Sequence, residues 1–480
     1  MNRDFIKTID YSIIPGVDRV LNEQAIQTLS KRCGAYVLTD MIRRAIDRVR
    51  GMMRDGEVVG ASREALTEWI VGDVQSQLAD QFAPNLRRVV NATGVILHTN
   101  LGRAPLADVA VKHIVDIAGS YSNLELDLET GQRGSRTTLV EKLLCELTGA
   151  EAAAIANNNA AAVLLTLNTL AGGKEAIVSR GQLVEIGGSF RIPDIMSRSG
   201  AQLVEVGTTN RTHLSDYENA LTENTGVMLA VHPSNYKVMG FTAEVALEDM
   251  VVLGRKRGVP VAHDLGGGVL VNLRDYGLPY EPLVSDSISA GADVVMFSGD
   301  KVLGGPQCGI IVGKQNVVEQ IRKNPLMRAL RCGKLTYAAL EATLKLFLNP
   351  EALAREHPTL RMLTEPVEML ERRGRRLLRM IGELEGFTCE LVDSQAQTGS
   401  GALPLENIPS IAVAISGGDI LSLSNALRHY DPPVVGYVRD EQLFLDLRTI
   451  RDDEVRIVGD AVRRIDEPRP TTQSCYKLRR

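Results

Sequence analysis

Residues 297–306 read Phe297-Ser298-Gly299-Asp300-Lys301-Val302-Leu303-Gly304-Gly305-Pro306, a lysine in a glycine turn directly after the apolar run Ala292 to Phe297. A short apolar run closed by glycine reads as a buried strand that ends in a turn. Upstream, Val259-Pro260-Val261-Ala262-His263-Asp264 ends in an acid before Leu265-Gly266-Gly267-Gly268, again a strand followed by a turn. The stretch between Asp264 and Lys301 is long enough for one crossover between neighbouring parallel strands.

A lysine after a strand usually does no more than solvate a loop. Here it has company in the right order. Partial desolvation lowers a lysine's pKa toward useful nucleophilicity, so Lys301 is placed to form a Schiff base with pyridoxal phosphate while Asp264 faces the pyridine nitrogen. Ser298, three residues before Lys301, offers a hydroxyl to the cofactor phosphate. The run Ala152 to Ala156 is followed by Asn157-Asn158-Asn159-Ala160-Ala161-Ala162, a helix start whose free N–H groups attract phosphate and whose Asn158 and Asn159 are candidate cofactor contacts. His232, in a loop after a strand, is a further candidate contact. His263 points to the opposite face from Asp264 and reads as packing. For His98 the sequence decides nothing.

The 480 residues suffice for two or three domains, and a net charge of −5 does not describe a general binder of polyanions. DNA and membranes are not expected partners: no run approaches a membrane span, and Met1-Asn2-Arg3-Asp4-Phe5 lacks an apolar signal core. The six cysteines have neither paired nor metal-type spacing, which favours reduced thiols, a cytoplasmic protein and no metal site.

The expected division is 1–83, helical with a linker; 84–335, the cofactor core; and 336–480, a small α/β domain. The first part shows helical periodicity, clearest over Thr39 to Met53, whose other face carries Arg43, Arg44, Arg48 and Arg50. With Lys31, Arg32 and Arg54 there are seven bases against Asp40 and Asp47, a local positive surface in an acidic chain. Beyond Pro84, strands are expected at Ala152–Ala156, Ala176–Ser179, Gln202–Val206, Val227–Val231, Val259–Asp264, Val294–Ser298 and Gly309–Val312. They alternate with helices, as in a mainly parallel sheet. The last part reads as helices Thr336–Leu348 and Met362–Leu384, the latter bearing Arg372, Arg373, Arg375 and Arg376. Short strands and helices follow, and then a poorly ordered tail from Pro468.

The segments VVNATGVILHTNLGRAPL, NNNAAAVLL, VSRGQLVEIGGSFRIPDIM, VGTTNRTH, FSGDKVLGGPQCGIIVGK and PLMRALRCGKLTYAALEATL follow one another along the chain. In them the chain resembles the bacterial selenocysteine synthases, the L-seryl-tRNA(Sec) selenium transferases. The resemblance implies a fold-type I pyridoxal 5'-phosphate enzyme with a helical N-terminal domain for seryl-tRNA(Sec), assembled as a homo-oligomer, a ring of dimers. It implies Lys301 as the cofactor lysine and Asp300 as the acid beside it. Arg103, Arg328 and Arg331 become receivers of the anionic selenium donor, selenophosphate. The chain departs from the family where Asp264-Leu265-Gly266-Gly267-Gly268-Val269-Leu270 stands in place of DLGSGSL, and in Val231-His232-Pro233-Ser234-Asn235.

The cofactor pieces alone are equally those of a lyase or racemase of small amino acids. A non-catalytic RNA-binding protein on such a scaffold is a third reading. The N-terminal block with its arginine face speaks against the former, and the intact set of Ser298, Lys301 and Asp264 against the latter.

Overall fold

The computed structural model describes residues 10–464 except 32, 59–60, 187–189, 234–235, 237 and 402–406. The described residues form two compact units, one within residues 1–88 and one spanning Val89–Val462.

The first unit is helical because its apolar residues recur every three or four positions. Helix Ala35–Arg54 begins ahead of the expected Thr39 and buries Leu38, Met41, Ile42, Ala45, Ile46, Val49 and Met53. Helix Arg63–Phe82 turns Leu66, Ile70, Val74 and Leu78 toward that stripe. Each buried side chain of this kind contributes roughly 1.5–3 kcal/mol, so the packed seam outweighs intrinsic helix preference. Ser62 starts the second helix by accepting the Ala65 N–H at 3.2 Å.

The arginine face is exposed, but acids answer it. Arg44 pairs with Asp40, Arg48 with Asp73, Arg50 with Asp47 at 2.8 Å and Arg54 with Asp55 at 3.8 Å. Asp73 comes from the second helix, beyond the window in which the charge was counted. Arg32 lies outside the described residues, as does the tail from Pro468.

In the second unit β1 (Ala152–Ala156), β2 (Glu175–Ser179), β3 (Gln202–Val206), β4 (Thr225–Val231), β5 (Val261–Gly266), β6 (Val294–Ser298) and β7 (Gly309–Gly313) form one sheet in the order β1-β7-β6-β5-β4-β2-β3. Every strand expected there is present, within two residues at each end. Six strands run the same way and only β7 is antiparallel, between β1 and β6. Alternate residues of β6 feed two cores: Val295 and Phe297 pack with Val140, Leu144 and Ile310 on one face, Val294 and Met296 with Val163, Leu165 and Ile311 on the other. Helices on both faces explain why β1, β4, β6 and β7 are buried along their whole length rather than alternating. The sheet places the ends of β1, β5 and β6 along one rim, where ligands bind in sheets of this kind.

Helix Lys334–Leu346 runs across the expected division at 335/336 and packs against helices Asp108–Ala118 and Thr138–Thr148 within the same compact unit. One expectation is corrected. The helix expected over Met362–Leu384 is two, Pro358–Thr364 and Val367–Ile381. Pro366 lacks an N–H and forces Glu365 into an extended conformation, φ −60° and ψ 126°. In the second of these helices Arg373 is buried on Glu365 at 2.6 Å and Asp452 at 3.2 Å, and Arg375 pairs with Glu371. Buried Arg373 serves the fold, whereas Arg375 stays exposed.

The C-terminal layer is an antiparallel sheet of β8 (Phe387–Gln397), β9 (Asn407–Gly417), β10 (Tyr437–Arg439) and β11 (Gln442–Asp446), in the order β8-β9-β11-β10. It is tied to the start of the core. The Ile96 and Leu97 N–H groups donate to the Gln397 and Thr398 carbonyls at 2.9 and 2.7 Å. Gly94, at φ +73°, lies so close to Asp446 that a Cβ would come within 2.8 Å of its carboxyl group. Asp446 is fully buried and accepts from Ser394 at 2.6 Å and Ser410 at 2.7 Å. This rail delivers residues 98–104 to the rim of the large sheet. No helix of the described residues is long and apolar enough to cross a membrane.

Candidate active site

Lys301 leaves the end of β6 in a turn closed by the Gly304 N–H on its own carbonyl at 2.9 Å. It is 7% exposed. Burial drives its pKa below the ordinary lysine value, and the nearby Arg103 adds to this, while Asp264, Asp300 and Glu281 oppose it. The amine therefore keeps its proton less firmly than a surface lysine does.

Asp264, near the end of β5, is buried, and burial raises its pKa. Its main offset is the Asn159 side chain, whose Nδ2 donates to Oδ1 at 2.8 Å. Asn159 is the first residue of the helix after β1. Asn158 is its N-cap, accepting the Ala161 N–H at 2.8 Å, so that side-chain oxygen is already used by the helix. Asn159 Oδ1 is buried without a partner. Ser298, the last residue of β6, is buried beside this group and pairs with Gly309 of β7.

His232 follows β4, and its N–H donates to the Asp264 carbonyl at 2.9 Å. Its Nε2 lies 3.6 Å from Glu281 Oε1. His263 packs on the far side as expected, its Nδ1 2.9 Å from Ser287 Oγ. Ser234 and Asn235 lie outside the described residues. In the glycine loop Gly268 has φ +71° and a Cβ there would meet the Ser298 carbonyl at 2.6 Å, whereas a Cβ on Gly267 would meet nothing nearer than Glu281 Oε1 at 3.7 Å. A serine at position 267 thus has room.

Arg103 sits at φ +62°, a strained conformation for a side-chain-bearing residue. Its Nη1 donates to Asp300 Oδ2 at 2.7 Å, and its Nε is buried without a partner. The other two arginines are not on this carboxylate. Arg331 pairs with Glu125 at 3.0 Å, beside the end of β1 through its bridge to Ala156. Arg328, on helix Leu326–Leu330, is exposed and has no ion pair among the described residues. The fold brings Lys301, Asp300, Arg103, Asp264 and Asn159 together, but the three arginines hold separate positions.

Several residues here escaped the sequence. Glu281 is buried within the field of Lys301. Glu125 gathers Arg136 at 2.7 Å and Arg133 at 2.8 Å besides Arg331, and Arg136 first, with Arg133, holds its carboxyl below the ordinary range. Only the short spacing of Glu125, Arg133 and Arg136 along the chain could have flagged that cluster.

A family model described as L-seryl-tRNA selenium transferase matches residues 89–451, and one described as selenocysteine synthase N terminal matches residues 11–50. The chain is 49% identical to the L-seryl-tRNA(Sec) selenium transferase of Geobacter sulfurreducens, over 95% of this chain and 99% of that one. It is 48% identical to the protein of the same name from Carboxydothermus hydrogenoformans, over 92% and 95%. Among solved structures it is similar to a D-glucosaminate-6-phosphate ammonia-lyase, with a TM-score of 0.55 at 18% identity over 81% of this chain and 97% of that one. That likeness concerns the fold alone.

Proposed function

The chain belongs to the L-seryl-tRNA selenium transferase family, and we propose that the pocket around Lys301 is where it replaces the serine hydroxyl of seryl-tRNA(Sec) by selenium. The chain is an enzyme that converts seryl-tRNA(Sec) to selenocysteyl-tRNA(Sec). Its core has the fold-type I architecture.

The residues present fit pyridoxal 5'-phosphate. The observation that carries this is buried Lys301 and Asp264 with half-buried Asn159, whose Oδ1 is buried and left unpartnered. An unanswered buried oxygen is costly, and a donor from a bound group would satisfy it. Lys301 would hold the aldehyde and Asp264 the pyridine nitrogen. Ser298 and the helix start at Asn158 and Asn159 would hold the phosphate, with His232 beside the ring. Bound there, the cofactor supplies an electron sink that makes the Cα proton of the serine ester acidic.

Lys301, whose amine holds its proton less firmly because it is buried, would be the base for that proton once it no longer holds the aldehyde. Asp300 is the acid beside it, held by Arg103. Arg103, Arg328 and Arg331 receive the selenium donor, selenophosphate, since guanidinium groups give paired charged donors to phosphate-like oxygens. Arg103 and Arg331 already hold carboxylates, so the donor competes with Asp300 and Glu125.

The helical unit is assigned to tRNA through its arginine face. A homo-oligomer, read as a ring of dimers from the family, is consistent with large apolar side chains exposed in the second unit, among them Val115, Tyr121 and Leu128, which association would cover. A cytoplasmic setting agrees with the described cysteines, all of them free thiols.

The test is reduction of the purified protein with borohydride. The wild type should retain covalently fixed cofactor and Lys301→Ala should not. Fixation at the wild-type level in the variant would refute the assignment of Lys301.

A further inference from the structure

We propose that His357 is a positioning residue for Lys301, holding the lysine turn from the helical layer behind it and so fixing the direction in which Lys301 enters the pocket. The inference rests on the reading of Lys301 as the cofactor lysine.

His357 joins two short helices, Pro350–Glu356 and Pro358–Thr364, and is 1% exposed. Its ring makes two hydrogen bonds with opposite roles. Nδ1 accepts the Leu360 N–H at 3.1 Å and caps the second helix. A nitrogen that accepts carries no proton, so the ring proton is on Nε2, which donates to the Leu303 carbonyl at 2.8 Å. Both roles require the neutral ring, and burial keeps the ring neutral by lowering its pKa. Phe347 meets the imidazole edge-on, with centroids 5.5 Å apart.

Leu303 is the second residue after Lys301, inside the turn that the Gly304 N–H closes on the Lys301 carbonyl. Two further backbone bonds tie this turn to the pocket. The Val302 N–H donates to Gly267 at 3.3 Å and the Gly305 N–H to Gly299 at 2.8 Å. From the other side the tether is the His357 ring. Gly304 has φ +68°, and a Cβ built there would collide with that ring. The ring lies so close to the Cα of Gly304 that the turn has room for no side chain there. A lysine whose amine must meet one carbon needs its turn held in that way, because displacement of about 1 Å is enough to cost roughly a hundredfold in a positioned reaction.

The two bonds can be separated in the full-length protein loaded with pyridoxal phosphate. In His357→Asn the amide oxygen stands where Nδ1 stands and keeps the helix cap, but nothing reaches Leu303. In His357→Gln the amide nitrogen reaches about as far as Nε2 and keeps the bond to Leu303, while the cap is lost. The readouts are the thermal midpoint, the rate at which borohydride fixes the cofactor, and the pH midpoint of the bound cofactor's visible absorbance.

The Asn variant should keep its thermal midpoint yet fix cofactor about fivefold more slowly or worse, the factor that one neutral hydrogen bond commands, with a displaced absorbance midpoint. The Gln variant should melt lower and fix cofactor at the wild-type rate. Wild-type fixation and an unchanged absorbance midpoint in the Asn variant would overturn the proposal. Slow fixation in the Gln variant would do so as well, even if the Asn variant did not fold. Lys301→Ala run alongside separates the two readings, since cofactor fixed in that variant would refute the lysine assignment itself.

Discussion

Asn159 and Asp264, from different ends of the sheet's connections, meet through one hydrogen bond of 2.8 Å. It joins the first turn of the helix after β1 to the end of β5, and it answers a carboxyl group whose burial raises its pKa. Removing the amide leaves a buried acceptor without its donor, which costs about 1–3 kcal/mol. Asn159→Ala should therefore lower stability by that amount and weaken cofactor binding. Paired unfolding and cofactor-titration curves check both, and a variant that titrates like the wild type would exclude Asn159 from the pocket's function.

Arg103 lowers the proton affinity of Lys301, and its partner Asp300 raises it. Taking Arg103 away removes the first effect and frees the second, so in Arg103→Ala Lys301 holds its proton to higher pH. The acidic limb of the rate profile for selenocysteyl-tRNA formation should move to higher pH. A limb that stays in place would show that Lys301 is not the base being titrated.

Gly267 and Gly268 are adjacent but not equivalent. Gly267→Ser puts a hydroxyl toward Glu281 with room to spare and should leave the thermal midpoint within about 2 °C. Gly268→Ser forces φ +71° on a side-chain-bearing residue and drives Cβ against the Ser298 carbonyl, costing roughly 2 kcal/mol or more. Equal midpoints for the two variants would contradict the loop geometry.

His263 is neutral in the fold, its pKa pushed down to about 4 by burial, with His232 adding to the effect. The unfolded ring titrates near 6.5, so below that pH the unfolded chain binds the extra proton. Stability must then fall as the pH drops from about 6.5 toward 4, by about 3 kcal/mol over the window. His357, shifted in the same direction, adds to the loss. His263→Gln should flatten this limb in urea unfolding measured across pH. A slope identical to the wild type's would remove His263 from the account.

The helix Ala35–Arg54 should bind tRNA through its arginine face, with affinity falling steeply as salt rises. Changing Arg43, Arg44, Arg48 and Arg50 together to alanine should weaken binding and lower the salt slope while leaving the cofactor absorbance intact. The pairing of Arg48 with Asp73 adds a signed test: Asp73→Asn frees a guanidinium and should strengthen binding. Wild-type tRNA affinity in the quadruple variant would move the site elsewhere.

What the sequence determined by itself was local. The seven strands, the glycine turn around Lys301, the acid at the end of β5 and the helix start at Asn159 each depend on a pattern within a few residues, and alternation, glycine and capping chemistry act at that range. The break at Pro366 is of the same local kind, since proline's missing N–H and its restriction of the preceding residue end the helix expected over Met362–Leu384. The tertiary structure decided which charges meet. Arg103 finds Asp300 across 197 positions and Arg331 finds Glu125 across 206, so the arginines that looked like one cluster occupy separate carboxylates. Glu281, Asp446 and His357 gained their places the same way. A side chain's burial and partners follow from strand order and from which helix covers which face, and those are set by the packing of the whole core rather than by spacing along the chain.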